Sequence, residues 1–181
     1  MKKENTVLYI LRLTLTLLLI SAVMAAALGA VNGITAPLIE QLRIEKTQKA
    51  VSAVLEGGGE EVDAPDMEGV SAVYKGENGY AVEVAPSGFG GTITMMVGVD
   101  NEGNVTGISV ISHAETAGLG DVAAAKTSAG EGFRAQFVGL NGEVSVTKDG
   151  GQVEAITSAT ITSRAICDGV NTALDCVKAM G

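Results

Sequence analysis

Apolar residues fill one long stretch near the start of the chain. Residues 13–31 carry no charge, and as a helix rising about 1.5 Å per residue they would span about 28 Å, close to the thickness of a bilayer core. We therefore predict one membrane-spanning helix. Small residues at 25–27 and 29–30 also suit a signal-peptidase site, so a cleaved signal peptide remains the alternative. Both alternatives export the rest of the chain.

The pattern then changes to apolar positions three and four residues apart with charges between them. Over residues 37–55 this spacing predicts an amphipathic stalk helix. Residues 57–69 combine four glycines, a proline and five acids, which is typical of a linker. We accordingly predict three parts: residues 1–35 with the membrane helix, 36–69 with the stalk and acidic linker, and 70–181 as the folded domain.

Short apolar runs separated by polar turns open the last part. The predicted strands are residues 71–74, 80–84, 92–99, 105–111 and 143–147. Runs and turns this short favour antiparallel pairing.

Two helices are predicted among and after these strands. Residues 121–138 suit a helix capped by Asp121 and broken at Gly130 and Gly132. Residues 163–180 suit a helix whose apolar stripe faces the core. The stripe consists of Ile166, Val170, Ala173, Leu174 and Val177. Strands grouped first with helices packed against them indicate an α+β fold built on an antiparallel sheet.

Charge limits the possible partners. Lys and Arg number 12 against 21 Asp and Glu. Three of the cations and one acid lie at or before Arg12, so the remainder carries 9 minus 20, or -11. Such a surface repels phosphate backbones, so no nucleic-acid partner is expected. Cations before the apolar stretch and acids after it predict a cytoplasmic N-terminus and an extracytoplasmic domain.

Cysteine and histidine counts limit the chemistry. One histidine and two cysteines exclude a zinc site, a four-cysteine iron-sulfur cluster and a CxxCH haem attachment. Cys167 and Cys176 lie nine residues apart, on opposite faces of a helix, and are expected to be small buried apolar residues. No metal site and no catalytic side chain are predicted.

Hydroxyl side chains cluster where an extended segment enters the last predicted helix. Residues 157–163 read Thr-Ser-Ala-Thr-Ile-Thr-Ser. Hydroxyls at such a junction often cap the helix. Free backbone N–H groups and the positive end of the helix dipole also suit a phosphate there. Arg164 could add a charge-assisted bond, and a surface role for this residue is the equally open alternative.

This run resembles the flavinylation motif of the FMN-binding domains in Rnf G and Nqr C subunits, Ser/Thr-Gly-Ala-Thr-x-Ser/Thr. The matching positions and the serine that follows them are Thr157, Ser158, Ala159, Thr160, Thr162 and Ser163. Ser158 stands where glycine is usual, which makes a positive φ costlier. The resemblance implies that Thr160 carries FMN through a phosphoester bond. It also implies a Mg-dependent flavin transferase that moves the FMN from FAD, since a threonine hydroxyl is a poor nucleophile by itself.

Two more segments resemble the same family in the same order. Gly88-Phe89-Gly90-Gly91 resembles its glycine-rich turn. Residues 113–120 resemble its His-x-Glu-Thr-Pro-Gly-Leu-Gly loop, with Ala117 in place of proline. The resemblance implies that the flavin pocket includes His113, Glu115, Thr116, Gly118, Leu119 and Gly120.

The resemblance further implies a function in electron transfer. It points to the electron-carrying subunit of a membrane-bound Rnf complex, which couples ferredoxin and NAD redox chemistry to Na⁺ or H⁺ movement. The implied partners are the membrane subunits A, D and E and the subunits B and C. An Nqr C subunit and a freestanding extracytoplasmic flavoprotein are the alternatives within the family. A non-redox tethered binding module is the alternative from another class, since a fold does not determine a function.

Overall fold

The computed structural model describes residues 4–180. Its helices are α1 (Glu4–Val54), α2 (Ser128–Ala135) and α3 (Thr160–Met180), with short 3₁₀ helices at Gly120–Ala123 and Thr147–Asp149. Its strands are β1 (Glu60–Val62), β2 (Val70–Lys75), β3 (Gly79–Val84), β4 (Thr94–Asp100) and β5 (Val105–Ser112). The chain divides into two compact units, one ending at Ile44 and one beginning at Glu45.

The first unit is formed by the apolar part of α1. Its large apolar side chains are exposed around the whole helix, for example Leu18 at 63% and Leu28 at 67%. A helix that is apolar all round suits lipid, and α1 is the one helix among the described residues that is long and apolar enough to cross a membrane. The hydroxyls of Thr14 and Thr35 donate to backbone carbonyls four residues earlier, at 3.0 and 2.9 Å, so they need no water partner.

The second unit contains a five-stranded antiparallel sheet in the order β1-β2-β3-β4-β5. Each strand pairs with the next along the chain. The sheet and its packed helices confirm the predicted α+β class. β1 was missed because its acidic sequence lies in the predicted linker. The predicted strand at 143–147 is wrong: among the described residues, this segment contributes one isolated bridge between Val146 and Val153.

One face of the sheet packs against α3. Alternate residues of the strands point to this face, as the two-residue period of a strand requires; Val82 of β3 and Val97 of β4 are examples, both fully buried. The predicted stripe of α3 is buried against them throughout. Cys167 and Cys176 are also buried and free, as expected. Burial raises the pKa of the Cys167 thiol to about 12, and nearby Asp168 adds to the shift.

The opposite face packs against the last residues of α1. Ala50, Val51, Val54 and Leu55 form a buried cluster with Ala81 and Met96. Gly98 and Gly107 face each other on β4 and β5, and a Cβ on Gly98 would lie 2.8 Å from the Cβ of Val54. The missing side chains let the helix approach closely, and the Thr106 hydroxyl donates to the Val54 carbonyl at 2.5 Å.

The segment after β5 differs from its predicted helix. Asp121 is not an N-cap, because it lies inside the first 3₁₀ turn, which begins without a side-chain cap. Thr127 caps α2 instead and accepts from the Gly130 N–H at 3.3 Å. The predicted break at Gly130 and Gly132 is also wrong. Both lie within α2, where a Cβ on Gly130 would collide with the Val122 and Ala125 carbonyls.

Candidate functional site

Sheet topology brings two of the motif segments together. Thr94 at the start of β4 pairs with Ser112 at the end of β5. The glycine-rich turn before β4 and the loop after β5 therefore leave the sheet at the same end. The start of α3 reaches the same place, so all three segments identified in the sequence meet there.

Glu115 joins these three segments. Its Oε1 accepts from the Gly90 N–H at 2.8 Å, and its Oε2 accepts from the Thr162 hydroxyl at 2.5 Å. Glycines make room for the carboxylate, since a Cβ on Gly88 would collide with Oε1. A Cβ on Gly120 would also lie 2.6 Å from Thr162 Oγ1. Through these two hydrogen bonds Glu115 connects the end of the sheet to α3.

The turn into α3 depends on two serines. Ser158 has φ of 65°, and it is the one non-glycine residue with positive φ among the described residues. This is the position where the resembling motif has glycine, and serine adopts the same left-handed conformation at some cost. The Ser163 side chain is fully buried. Its Oγ accepts from the Ile156 N–H and donates to the Ala159 carbonyl, both at 3.0 Å, which holds the turn closed.

A lysine lies beside the threonine that begins α3. Lys148 Nζ donates to Thr160 Oγ1 at 3.0 Å. This contact was not expected from the sequence, because residues 148–151 indicate only a turn. The sequence feature that could have indicated this contact is a lysine in a turn, twelve residues before a helix start that suits an anion.

Arg164 holds that turn in place. It makes a bidentate pair with Asp149, Nε to Oδ2 at 2.6 Å and Nη2 to Oδ1 at 2.7 Å. The hydrogen bond from Arg164 holds the pKa of Asp149 below its ordinary value, and the charges of Arg164 and Lys148 add to this effect. Arg164 therefore binds Asp149, and the neighbouring Lys148, rather than Arg164, contacts Thr160.

These segments enclose an open cavity of about 340 Å³. Its lining consists of Phe89, Glu115, Thr116, Leu119, Gly120, Ser158, Ala159, Thr160, Ile161 and Thr162. Phe89, Leu119 and Ile161 are 70%, 40% and 51% exposed. Exposed apolar side chains at the rim of a cavity suit a flat aromatic ligand.

Twelve residues were expected around the FMN, six from the loop after β5 and six from the flavinylation motif. Eight of them line this cavity, and Phe89 and Ile161 line it without having been expected. The other four lie nearby. Thr157 and Gly118 are exposed and outside it, while Ser163 is buried beneath the turn. The ring of His113 is exposed, and its Nδ1 accepts from the Glu115 N–H at 3.2 Å, so it shapes the loop.

The residues present fit an FMN group. The cavity volume lies within the range of about 300–1,000 Å³ for ligand pockets, and the apolar rim suits an isoalloxazine ring. The first turn of α3 offers backbone N–H groups and a positive dipole end for a phosphate, and Lys148 adds a cation at the same point.

Comparison with known proteins gives the class. Residues 88–175 match the FMN-binding domain family, a span that includes every residue lining the cavity. The chain therefore contains an FMN-binding domain.

Whole-chain relatives give the family. The G subunit of the ion-translocating oxidoreductase complex of Methanosarcina acetivorans is 35% identical over 94% of this chain and 95% of its own length. The G subunit of the Na(+)-translocating ferredoxin:NAD(+) oxidoreductase complex of Acetobacterium woodii is 33% identical over 90% and 88%. A G subunit of Aliivibrio fischeri is 44% identical over 54% of this chain and 48% of its own length. The chain belongs to the family of G subunits of Rnf-type ion-translocating oxidoreductase complexes.

Proposed function

We propose that this chain is the electron-carrying G subunit of an Rnf-type complex and holds FMN covalently on Thr160. The observation that carries the proposal is the position of Thr160, which begins α3, lines the cavity and receives a hydrogen bond from Lys148. Bound FMN takes one or two electrons and supplies the redox chemistry. The protein residues hold it and limit its exposure to solvent.

The other hydroxyls of the motif are less suitable for attachment. Thr162 is 2% exposed and its hydroxyl is engaged with Glu115. Ser163 is fully buried, with its hydroxyl donating to a backbone carbonyl. Thr157 lies outside the cavity, and Ser158 occupies a strained turn. Thr160 combines access to the cavity with an adjacent cation.

We also propose how the chain is placed in its complex. The N-terminal end of the chain lies in the cytoplasm, the apolar part of α1 spans the membrane, and the FMN domain, whose sheet includes β1 and packs against the last residues of α1, is extracytoplasmic. The partners are the membrane subunits A, D and E and the subunits B and C, in a complex that couples ferredoxin and NAD redox chemistry to Na⁺ or H⁺ transport. The ion path lies in the partners, because the apolar part of α1 has no acidic residue at membrane depth.

In-gel flavin fluorescence tests the covalent link. The full chain is produced in cells with an active flavin transferase, as wild type, Thr160→Ala and Ser128→Ala. We expect a fluorescent band in denaturing gels for wild type and Ser128→Ala, and none for Thr160→Ala. Ser128→Ala is the control because it removes an exposed hydroxyl that lies outside both the motif and the cavity. A fluorescent Thr160→Ala band, or a dark wild-type band, contradicts the proposal.

A further inference from the structure

Lys148 is the cation nearest to the proposed attachment atom, and the fold leaves its charge available. Arg164, the other cation near the start of α3, is bound bidentately to Asp149. Lys148 is exposed and forms no ion pair among the described residues. Its ammonium group donates its hydrogen bond to Thr160 Oγ1.

Lys148 is a positive charge on a chain whose net charge is strongly negative. The chain beyond Arg12 carries a net charge of -11, so a negative phosphate approaching the domain meets a repulsive field. One lysine at the attachment atom offsets this repulsion locally. A hydrogen bond from an ammonium group also stabilises negative charge that develops on the oxygen to which it donates.

We propose that Lys148 activates and orients the Thr160 hydroxyl for FMN attachment and then pairs with the phosphodiester that results. This inference rests on the proposed function of Thr160. In the attachment, Thr160 Oγ1 bonds to the flavin-side phosphorus of FAD, the pyrophosphate bond breaks and AMP leaves. The hydroxyl proton passes to a base of the flavin transferase, since protonated Lys148 donates to Oγ1 and cannot accept it.

The Asp149–Arg164 pair serves this role by positioning the lysine. Asp149 lies in the same 3₁₀ turn as Lys148, and Arg164 lies one helical turn after Thr160. The pair therefore ties the turn that carries the cation to the helix that carries the hydroxyl. Gly150, at φ of 89°, ends the turn in the left-handed conformation that glycine tolerates.

The test is the rate of FMN incorporation into the purified full-length chain in detergent, with purified flavin transferase, FAD and Mg²⁺. The variants are Lys148→Met, Lys148→Arg, Lys126→Met and Thr160→Ala. Lys126 is an exposed lysine outside the cavity and controls for the loss of one positive charge. Incorporation is followed by intact mass, and circular dichroism confirms that each variant is folded.

We expect Lys148→Met to lower the kcat of the flavin transferase, with this chain as its substrate, about tenfold or more, because a hydrogen bond to a charged group is lost. Lys148→Arg should recover most of this rate because it restores the charge. Lys126→Met should incorporate FMN at the wild-type rate. A folded Lys148→Met chain that is loaded as fast as wild type would overturn the inference and leave the proposed function intact. Failure of Lys148→Arg to recover any rate would overturn it too. Loading of Thr160→Ala would instead contradict the proposed function.

Discussion

The carboxylate of Glu115 and the hydroxyl of Thr162 lie 2.5 Å apart, although the two residues are 47 positions apart in the chain. This hydrogen bond connects the loop after β5 to the first turn of α3, and the second oxygen of Glu115 continues it to Gly90. The wall of the cavity is therefore held together by one carboxylate.

Replacing Glu115 by Gln should lower the free energy of unfolding by about 1.5 kcal/mol or more, since hydrogen bonds to a partly buried charge are lost or weakened. Thr162→Val should have an effect of the same sign. In a double-mutant cycle measured by urea unfolding of the flavin-free chain, the two changes should couple. Glu131→Gln, on the exposed side of α2, is the control. Strict additivity of the two substitutions would show that this bond does not hold the site.

Replacing Ser158 by Gly should stabilise the flavin-free chain by about 1 kcal/mol, because the left-handed φ of 65° costs serine more than glycine. Urea unfolding measures the gain. Thr157→Gly is the matched control one position earlier, where φ is not positive, and it should give no gain. A destabilised Ser158→Gly chain would mean that the serine side chain contributes more than the strain removes.

The Asp149–Arg164 pair should make stability depend on pH in the acidic range. Arg164 holds the pKa of Asp149 below its ordinary value of 3.8. A depressed pKa in the folded state stabilises the fold above pH 3.8, and this contribution disappears as the pH falls through the folded value. The free energy of unfolding of wild type should therefore exceed that of Asp149→Asn near neutral pH, and the two values should converge at low pH. Asp63→Asn, an exposed acid of the linker, controls for the lost charge, and a constant difference at all pH values would argue against the pair.

Cys167 should resist alkylation in the folded chain. Its thiol is 2% exposed, and burial raises its pKa to about 12, so the reactive thiolate is scarce at about pH 8. We expect iodoacetamide to leave both cysteines unmodified at that pH until the chain is unfolded in guanidinium, when the mass should rise by two additions. Rapid modification without denaturant would show that α3 opens readily.

Helices and strands in which apolar residues recur at a clear spacing could be predicted from the sequence. The stripe of α3 and the strands around Val82 and Val97 follow directly from apolar spacing. β1 could not, because its acidic residues resemble a linker and it forms by adding to the edge of β2. Asp121 is the better cap by residue type, but the tight contact of Gly130 with the preceding turn places the helix start at Thr127.

The candidate site could be predicted only in part from the sequence. Its loops could be recognised by resemblance, since their glycines and hydroxyls follow a local pattern. Lys148 could not, because its contact with Thr160 depends on how a turn docks against a helix. For Arg164 the sequence left anion binding and a surface role open, and the structure shows it bound bidentately to Asp149.

Intact mass and peptide mapping of the full chain, produced with an active flavin transferase, test the central claim most directly. Trypsin cleaves after Lys148 and Arg164, so one peptide, residues 149–164, contains Thr160. Fragmentation then distinguishes Thr160 from the four other hydroxyl residues of the motif. We predict an added mass equal to FMN less one water, on Thr160. An unmodified chain, in cells whose transferase loads another substrate, or FMN on a different residue, would contradict the account.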